Sequence, residues 1–297
     1  MAAAARFLAE RPRLISVVVV TYNRADALLA VLRALAAQDD REFEVIVADD
    51  GSRVEQRALL DAAAPTLGLP LRRVWHPDRG FTAATARNLG TRLARGDYLL
   101  FIDGDCVPQP DFIRRHRQLA RRGCFVNGSR VLLDPVLTDA VLAQRAPMPG
   151  ADFRYWLVQR LRGHCNKLLA LYIRWPARWR RAHEAFRWRG IRSCNLSVWR
   201  DDFIAINGFD ETFNGWGHED ADFVLRLQRS GCARINGYWG TEVLHLWHRE
   251  AAREAEQQHR ARVHQRAAAQ TLDCRAEFGL QHGTTPDSEI RVDAFNA

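Results

Sequence analysis

No apolar stretch in this chain approaches the ~20 residues that a membrane-spanning helix requires. The longest near the start, residues 14–20, is interrupted by Ser16 and runs into Thr21-Tyr22-Asn23-Arg24. A secretory leader would end in a small-residue cleavage site instead. The expectation is a protein without spanning segment or leader, soluble or bound at a membrane surface. The six cysteines (Cys106, Cys124, Cys165, Cys194, Cys232 and Cys274) contain no CxxC pair and no regular spacing. That excludes a zinc ribbon and a disulfide framework, and they read as reduced cytosolic thiols. Acidic residues fall short of basic ones, 35 against 43, which leaves a net charge of +8. A basic balance favours acidic partners such as nucleotides, phosphorylated lipids or an anionic membrane surface. No nucleic-acid reader motif accompanies the charge, so nucleic acid is not an expected partner. There is no internal repeat.

What is present is a strongly patterned first half. With 47% hydrophobic residues in 297, the chain can bury a large core. LISVVVVTYN is a β-branched apolar run ending in polar residues, as expected of a strand buried on both faces of a parallel sheet. FEVIVADDGS, LRRVWH and GDYLLFIDGDC read as three more strands, with helical periodicity in ADALLAVLRALAAQ, VEQRALLDAAA and FTAATARNLGTRLA between them. This alternation predicts an α/β fold, Rossmann-like, with a mostly parallel central sheet flanked by helices. Ligands bind such sheets beyond the carboxyl ends of the strands. Thr21-Tyr22-Asn23, Asp49-Asp50-Gly51-Ser52 and Asp103-Gly104-Asp105 all fall there.

The second half is less regular. GCFVNGSRVLL predicts a strand, and residues 151–192 a helical, basic, Trp-rich insertion. SCNLSVWRDDFIAINGFDE reads as strand, short helix and turn. HEDADFVLRLQRSG reads as a helix closed by Gly231. ARINGYWGTEVLHLWH gives one or two short strands, and from Arg249 a helical tail follows whose last fifteen residues are expected to be loose.

Two carboxylates at i and i+2 after a strand, Asp103 and Asp105, can share a hard divalent cation that also holds phosphate oxygens. Asp-Gly is also ordinary turn chemistry. In Asp49-Asp50-Gly51-Ser52, Ser52 can cap the next helix, or an Asp can accept a nucleobase N–H. Arg79, Arg87 and Asn88, near a helix start between the third and fourth strands, can neutralise a diphosphate or form a solvated face.

These segments carry a resemblance. ISVVVVTYNR, EVIVADDGS, ARNLG and GDYLLFIDGD resemble the donor-binding half of family 2 glycosyltransferases with the GT-A fold. NLSVWRDDFIAINGFDETFNGWGHEDADFVLRL resembles the C-terminal module of β-1,4-galactosyltransferases and of bacterial chondroitin-type polymerases. The resemblance implies residues 1–105 as a nucleotide-sugar donor-binding half and 106–250 as the acceptor-binding, catalytic half of the same domain. Residues 251–297 are left as a tail. It implies donor contacts from Thr21, Tyr22, Asn23, Asp50, Arg79, Arg87, Asn88, Asp103 and Gly104, with Tyr22 and Asp50 on the nucleobase. Asp105 would ligate Mn²⁺ or Mg²⁺ with a histidine after the last strand, His248 before His245. Asp220 would be the catalytic base, with Trp216, Gly217 and Glu219 at the acceptor. His218 departs from the family, which often has glycine there. The activity implied is inverting, metal-dependent transfer from a UDP-sugar to a glycan or lipid-linked acceptor, in bacterial surface polysaccharide or lipopolysaccharide synthesis. The enzyme would be cytoplasmic or peripheral on the inner membrane.

A helical wheel tests one of these assignments without the family. Phe223, Val224 and Leu227 share an apolar face with Asp220 at its centre. Glu219 sits at the edge. Asp222 falls opposite, with Arg226 and Arg229, where a solvent-facing i,i+4 pair is expected. An inward carboxylate is costly unless a crevice or polar partners receive it, so Asp220 is the unusual one.

Residues 154–192 carry eleven Lys/Arg against one acid, Glu184, interleaved with Trp156, Trp175, Trp179 and Trp188. Such composition suits a helix on an anionic membrane, or a core helix pair with snorkelling arginines. Two rival functions fit the sequence less well. A nucleotidyltransferase would need a Gly-rich cationic loop after the first strand, where Thr-Tyr-Asn-Arg stands instead. A silent nucleotide-sugar or lipid-binding module would be expected to lose an acid at Asp103, Asp105 or Asp220, and all three are present.

Overall fold

The computed structural model describes residues 7–188, 190–249, 253–269 and 273–295. The expectations for residues 1–6, 189, 250–252, 270–272 and 296–297 lie outside these. The regular first half runs β1 (Ile15–Thr21), α1 (Ala25–Ala36), β2 (Phe43–Asp49), α2 (Val54–Ala63), β3 (Leu71–Trp75), α3 (Ala83–Leu93) and β4 (Tyr98–Asp103). β1 lies between β2 and β4, all parallel, with β3 outside β2. Ile15, Val17 and Val19 pack with α1, and Val18 packs with α3 on the other face, so both faces of the sheet are core.

Past β4 come β5 (Cys106–Pro108), α4 (Phe112–Leu119), β6 (Cys124–Asn127), β7 (Ser129–Leu132), α5 (Pro135–Leu142), α6 (Phe153–Leu161), β8 (Ala182–His183), β9 (Asn195–Trp199) and α7 (Arg200–Ala205). α8 (Glu219–Arg229), β10 (Ala233–Asn236), β11 (Glu242–His245), α9 (Glu256–Ala268) and β12 (Arg291–Ala294) follow. β9 runs antiparallel to β4, and the large sheet has the order β12-β3-β2-β1-β4-β9-β6-β10-β8. β5, β11 and β7 form a separate small sheet.

Three expectations are corrected. The single strand GCFVNGSRVLL is two strands in two sheets. The chain switches at Gly128, where a Cβ would sit 2.1 Å from the Asn195 side chain, so only glycine passes there. Residues 151–192 are mostly not helical: α6 is nine residues, and two single-turn helices and a two-residue strand follow. Arginines tie down an irregular chain instead. The Arg180 guanidinium donates to the carbonyls of Trp175, Asn236, Tyr238 and Trp239, and Arg174 clamps Asp111. Nor is the described part of the tail loose. Leu280 donates to the Asn207 carbonyl at 2.9 Å, β12 pairs antiparallel with β3, and Asp293 meets Arg73 at 2.6 Å. Gly231, with φ +98°, follows α8 as expected of a left-handed C-terminal glycine.

Candidate active site

The topology brings the acidic turn after β4 against the end of β11. β5 pairs antiparallel with β11, matching Cys106 to His245, so His245 lies beside Asp105. The Asp105 carbonyl accepts the Leu246 N–H at 2.9 Å. His248 comes round to Asp105 as well. Its Nε2 is 3.3 Å from Asp105 Oδ2, and His245 Nε2 is 3.9 Å from Oδ1. One ligand atom from each of the three residues falls within 4.8 Å of the others. A carboxylate and two imidazoles suit Mn²⁺ and other borderline divalent ions. Burial drives His245 down to about 4, so it stands neutral with its lone pair available. Both histidines are thus within reach, where the sequence ranked them.

Asp103 is not part of this cluster. Its Oδ1 accepts from Arg87 at 3.1 Å, and Arg87 also meets Glu219 at 3.2 Å. Arg87 is 2% exposed. It is a bridge between the β4 end and the start of α8, not the free diphosphate clamp expected from the sequence. Burial pushes Asp103 up, and Arg87 opposes. Asn88 is displaced further from that expectation. It is fully buried, with its amide bonded to the Phe209 backbone and Glu211, so it pins α3 to the 207–211 loop. Arg79 forms an ion pair with Glu289 of the tail at 2.6 Å.

At the β1 and β2 ends the polar residues bond mainly to one another. The Asn23 N–H donates to Ser52 Oγ, and Asn23 Oδ1 accepts the Arg53 N–H. The buried Thr21 accepts the Asp50 N–H, and the Gly104 N–H donates to Val20. Asp50 is 3% exposed and accepts from the backbone and hydroxyl of Thr82, with His76 Nε2 3.2 Å away. A nucleobase therefore meets an oriented but occupied carboxylate. Tyr22 is 46% exposed, and its hydroxyl donates to Asp78 at 2.8 Å. Asp78, hidden in the ordinary turn sequence HPDRG, was missed.

The start of α8 forms one wall of a cavity of about 370 Å³, with Arg87, Asp103, Trp188, Trp216, Glu219 and Asp220 among its lining. Gly217, at φ +109°, turns the chain beside Trp216, whose ring lies 4.7 Å from the Arg253 guanidinium. His218 holds the N-cap position at φ +68° with no side-chain capping bond. Left-handed backbone there accounts for the glycine common in the resembled family. The His218 ring packs on Trp188, with centroids 5.0 Å apart. Asp220 is half-buried. Burial and the neighbouring Glu219 carboxylate raise it to about 7, while Arg87 and the N–H groups of Ala221 and Ser193 oppose. Arg130 also lines this cavity, and its place inside a short strand, between Ser129 and Val131, concealed it in the sequence.

The outward, solvent-facing Asp222 expected from the wheel is wrong. Asp222 is wholly buried between Arg226, at 2.7 Å, and Arg266 of α9. α9 covers the face that the wheel left to solvent.

The large sheet is mixed and not mostly parallel as expected, because β12, β9 and β8 join antiparallel. Such a sheet, parallel through β3-β2-β1-β4 and with acids at strand ends facing a helix-borne carboxylate, is the architecture of GT-A glycosyltransferases. The structure matches that of GalNAc-T7, solved with UDP, GalNAc and Mn²⁺, with a TM-score of 0.60 at 14% identity over 86% of this chain and 48% of that one. The chain belongs to glycosyl transferase family 2, whose model matches residues 16–187. A second model, described as the N-terminal domain of galactosyltransferase, matches residues 177–250. Validoxylamine A glucosyltransferase of Streptomyces hygroscopicus subsp. jinggangensis is 31% identical over 78% of this chain and 56% of its own length. Chondroitin synthase of Pasteurella multocida is 26% identical over 73% of this chain and 23% of its own. The chain thus spans little more than half of the first relative and less than a quarter of the second. No helix among the described residues is long and apolar enough to cross a membrane.

Proposed function

We propose that the protein transfers a sugar, with inversion, from a UDP-sugar to a hydroxyl of a glycan or lipid-linked acceptor in surface polysaccharide synthesis. In this reading residues 1–105 hold the donor and 106–250 the acceptor. Asp105, His245 and His248 hold Mn²⁺ or Mg²⁺, which when bound supplies positive charge against the leaving nucleotide diphosphate. The fit of that donor set supports the metal, as does the Mn²⁺ in the GalNAc-T7 structure. Tyr22 and Asp78 border the nucleobase, with Asp50 behind them. Arg87 fixes Asp103 and Glu219, and Trp216 offers a ring face to the acceptor sugar. Asp220 takes the proton of the attacking hydroxyl.

The observation that carries the reading is Asp220 itself: a half-buried carboxylate raised to about 7, on a cavity wall beside Trp216. Such a group is poised to accept a proton near neutral pH. Calorimetry with UDP- and GDP-sugars, with Mn²⁺ and with EDTA, tests the donor side. Donor affinity that ignores EDTA, or an Asp105→Ala enzyme with normal turnover, overturns the metal assignment. The exposed Trp175 and Trp179, at 50% and 55%, support contact with an anionic membrane. Salt-sensitive co-sedimentation with anionic but not neutral vesicles is expected, and no co-sedimentation with either removes that contact.

A further inference from the structure

The Asp220 cavity shares Gly190 and Arg192 with a second cavity of about 750 Å³. The second shares His183, Asn236, Tyr238 and Trp239 with a third of about 570 Å³, where Trp175 and Trp179 meet edge to face at 5.5 Å. Together they form one groove leading away from the proposed base. Its middle section is lined by Arg160, Lys167, Arg187, Arg192 and Arg234. Its one acidic lining residue, Glu242, is 1% exposed and already accepts the N–H groups of Trp239 and Gly240.

Away from the groove, enclosed guanidinium groups meet carboxylates in Arg117–Asp40 and Arg226–Asp222. In the groove, among the described residues, no carboxylate bonds to Arg160, Lys167, Arg187 or Arg192, and Arg234 donates to the carbonyls of Arg187 and Gly190. Lys167 is the only lysine among 43 basic residues. It donates to Ser129 Oγ and to the Arg130 carbonyl, which leaves one ammonium proton for a ligand. Its pKa is driven down by burial and further by Arg192 and Arg130, although Glu242 opposes. Five cationic side chains thus line this section beside a single, buried carboxylate.

We propose that this middle section binds a carboxylate or phosphate of the acceptor, so that the acceptor is an extended chain carrying negative charge beyond the unit that is glycosylated. The proposal rests on the Asp220 cavity being the transfer site. The single lysine provides a readout independent of turnover. The full chain is treated with an acetylating ester, and Lys167 modification is followed by peptide mass spectrometry. The probes are tetragalacturonate, with carboxylates on sugars, farnesyl diphosphate, with phosphates on an isoprenoid, and neutral maltotetraose.

At least one anion is expected to slow Lys167 acetylation several-fold, and maltotetraose to leave it unchanged. Protection by tetragalacturonate alone assigns the charge to the glycan, and protection by farnesyl diphosphate alone assigns it to a lipid carrier. The affinity of the protecting anion, read from tryptophan fluorescence, should fall about tenfold in Arg187→Gln and in Lys167→Gln, as expected when a charge-assisted hydrogen bond is lost. Lys167→Arg should restore it. Protection by neither anion, equal protection by maltotetraose, or unchanged affinity in both Gln variants overturns the proposal. UDP–Mn²⁺ binding in the same samples separates the two readings. If it persists while the anions fail, only the acceptor inference falls. If it is absent, the catalytic reading falls first.

Discussion

Asp220 and Asp222 stand two residues apart in the first turn of α8, yet opposite sides of the helix make different use of them. On the cleft side Asp220 is half-buried, with Glu219 beside it and Arg87 as the nearest opposing charge. On the far side Asp222 is wholly enclosed by two guanidinium groups, one from its own helix and one from α9. Chemically identical groups thus become the proposed proton acceptor and a structural anchor. The difference is set by an element some 40 residues downstream, not by their own turn.

The largest effect expected from this contrast is at Asp220. Asp220→Asn keeps the shape but cannot take a proton, so transfer should fall by ~10²–10⁴-fold. Donor affinity and melting temperature should hardly move. Near wild-type transfer by a folded, donor-binding variant would reduce all three α8 acids to helix-terminal charges. Asp222→Ala should do the reverse. Removing one partner leaves Arg226 and Arg266 facing each other in a buried site, a loss of ~3–5 kcal/mol. Denaturant unfolding measures this, and equal damage from both variants would erase the contrast.

The pH profile sharpens it more finely. With a carboxyl group raised to about 7, the base is ionised only above that value. The rate should therefore rise about tenfold per pH unit below 7 and level off above it. The sign for stability is opposite. The folded state keeps a proton that the unfolded chain releases near pH 4, so this group's contribution to stability falls as pH rises from about 4 to 7. Asp220→Asn should remove that slope, and a flat rate profile from pH 5 to 8 would contradict the assignment. The smallest effect is at His218, whose left-handed backbone costs ~1–2 kcal/mol that glycine avoids. His218→Gly forfeits the Trp188 contact, so a net gain on the order of 1 kcal/mol or less is expected in thermal unfolding.

The parallel half was legible because burial on both faces leaves β1, β2 and β4 largely apolar, with β2 and β4 each ending in an acid. The position of Asp220 on the cleft side was legible because a carboxylate among Phe223, Val224 and Leu227 breaks a strong helical pattern. Asp222 was not, since nothing in its own helix announces Arg266. Asn88 and Asp50 misled for a related reason: a buried polar side chain that staples two loops has the same letter as one that waits for a ligand. Residues 154–192 misled through composition. Arg174 and Arg180 spend their guanidinium groups on Asp111 and on backbone carbonyls, which no charge count distinguishes from a solvated face.

The pairing of β12 with β3 has a consequence for how this protein behaves at high concentration. β3 is a short strand whose outer N–H and C=O groups are taken up by residues 291–294. A variant lacking those residues would present an open ladder, already aligned to accept a strand from another copy. Its first symptom should be concentration-dependent self-association in light scattering, with the distant Asp220 cavity unchanged. Tags or fusions placed at that end would carry the same hazard.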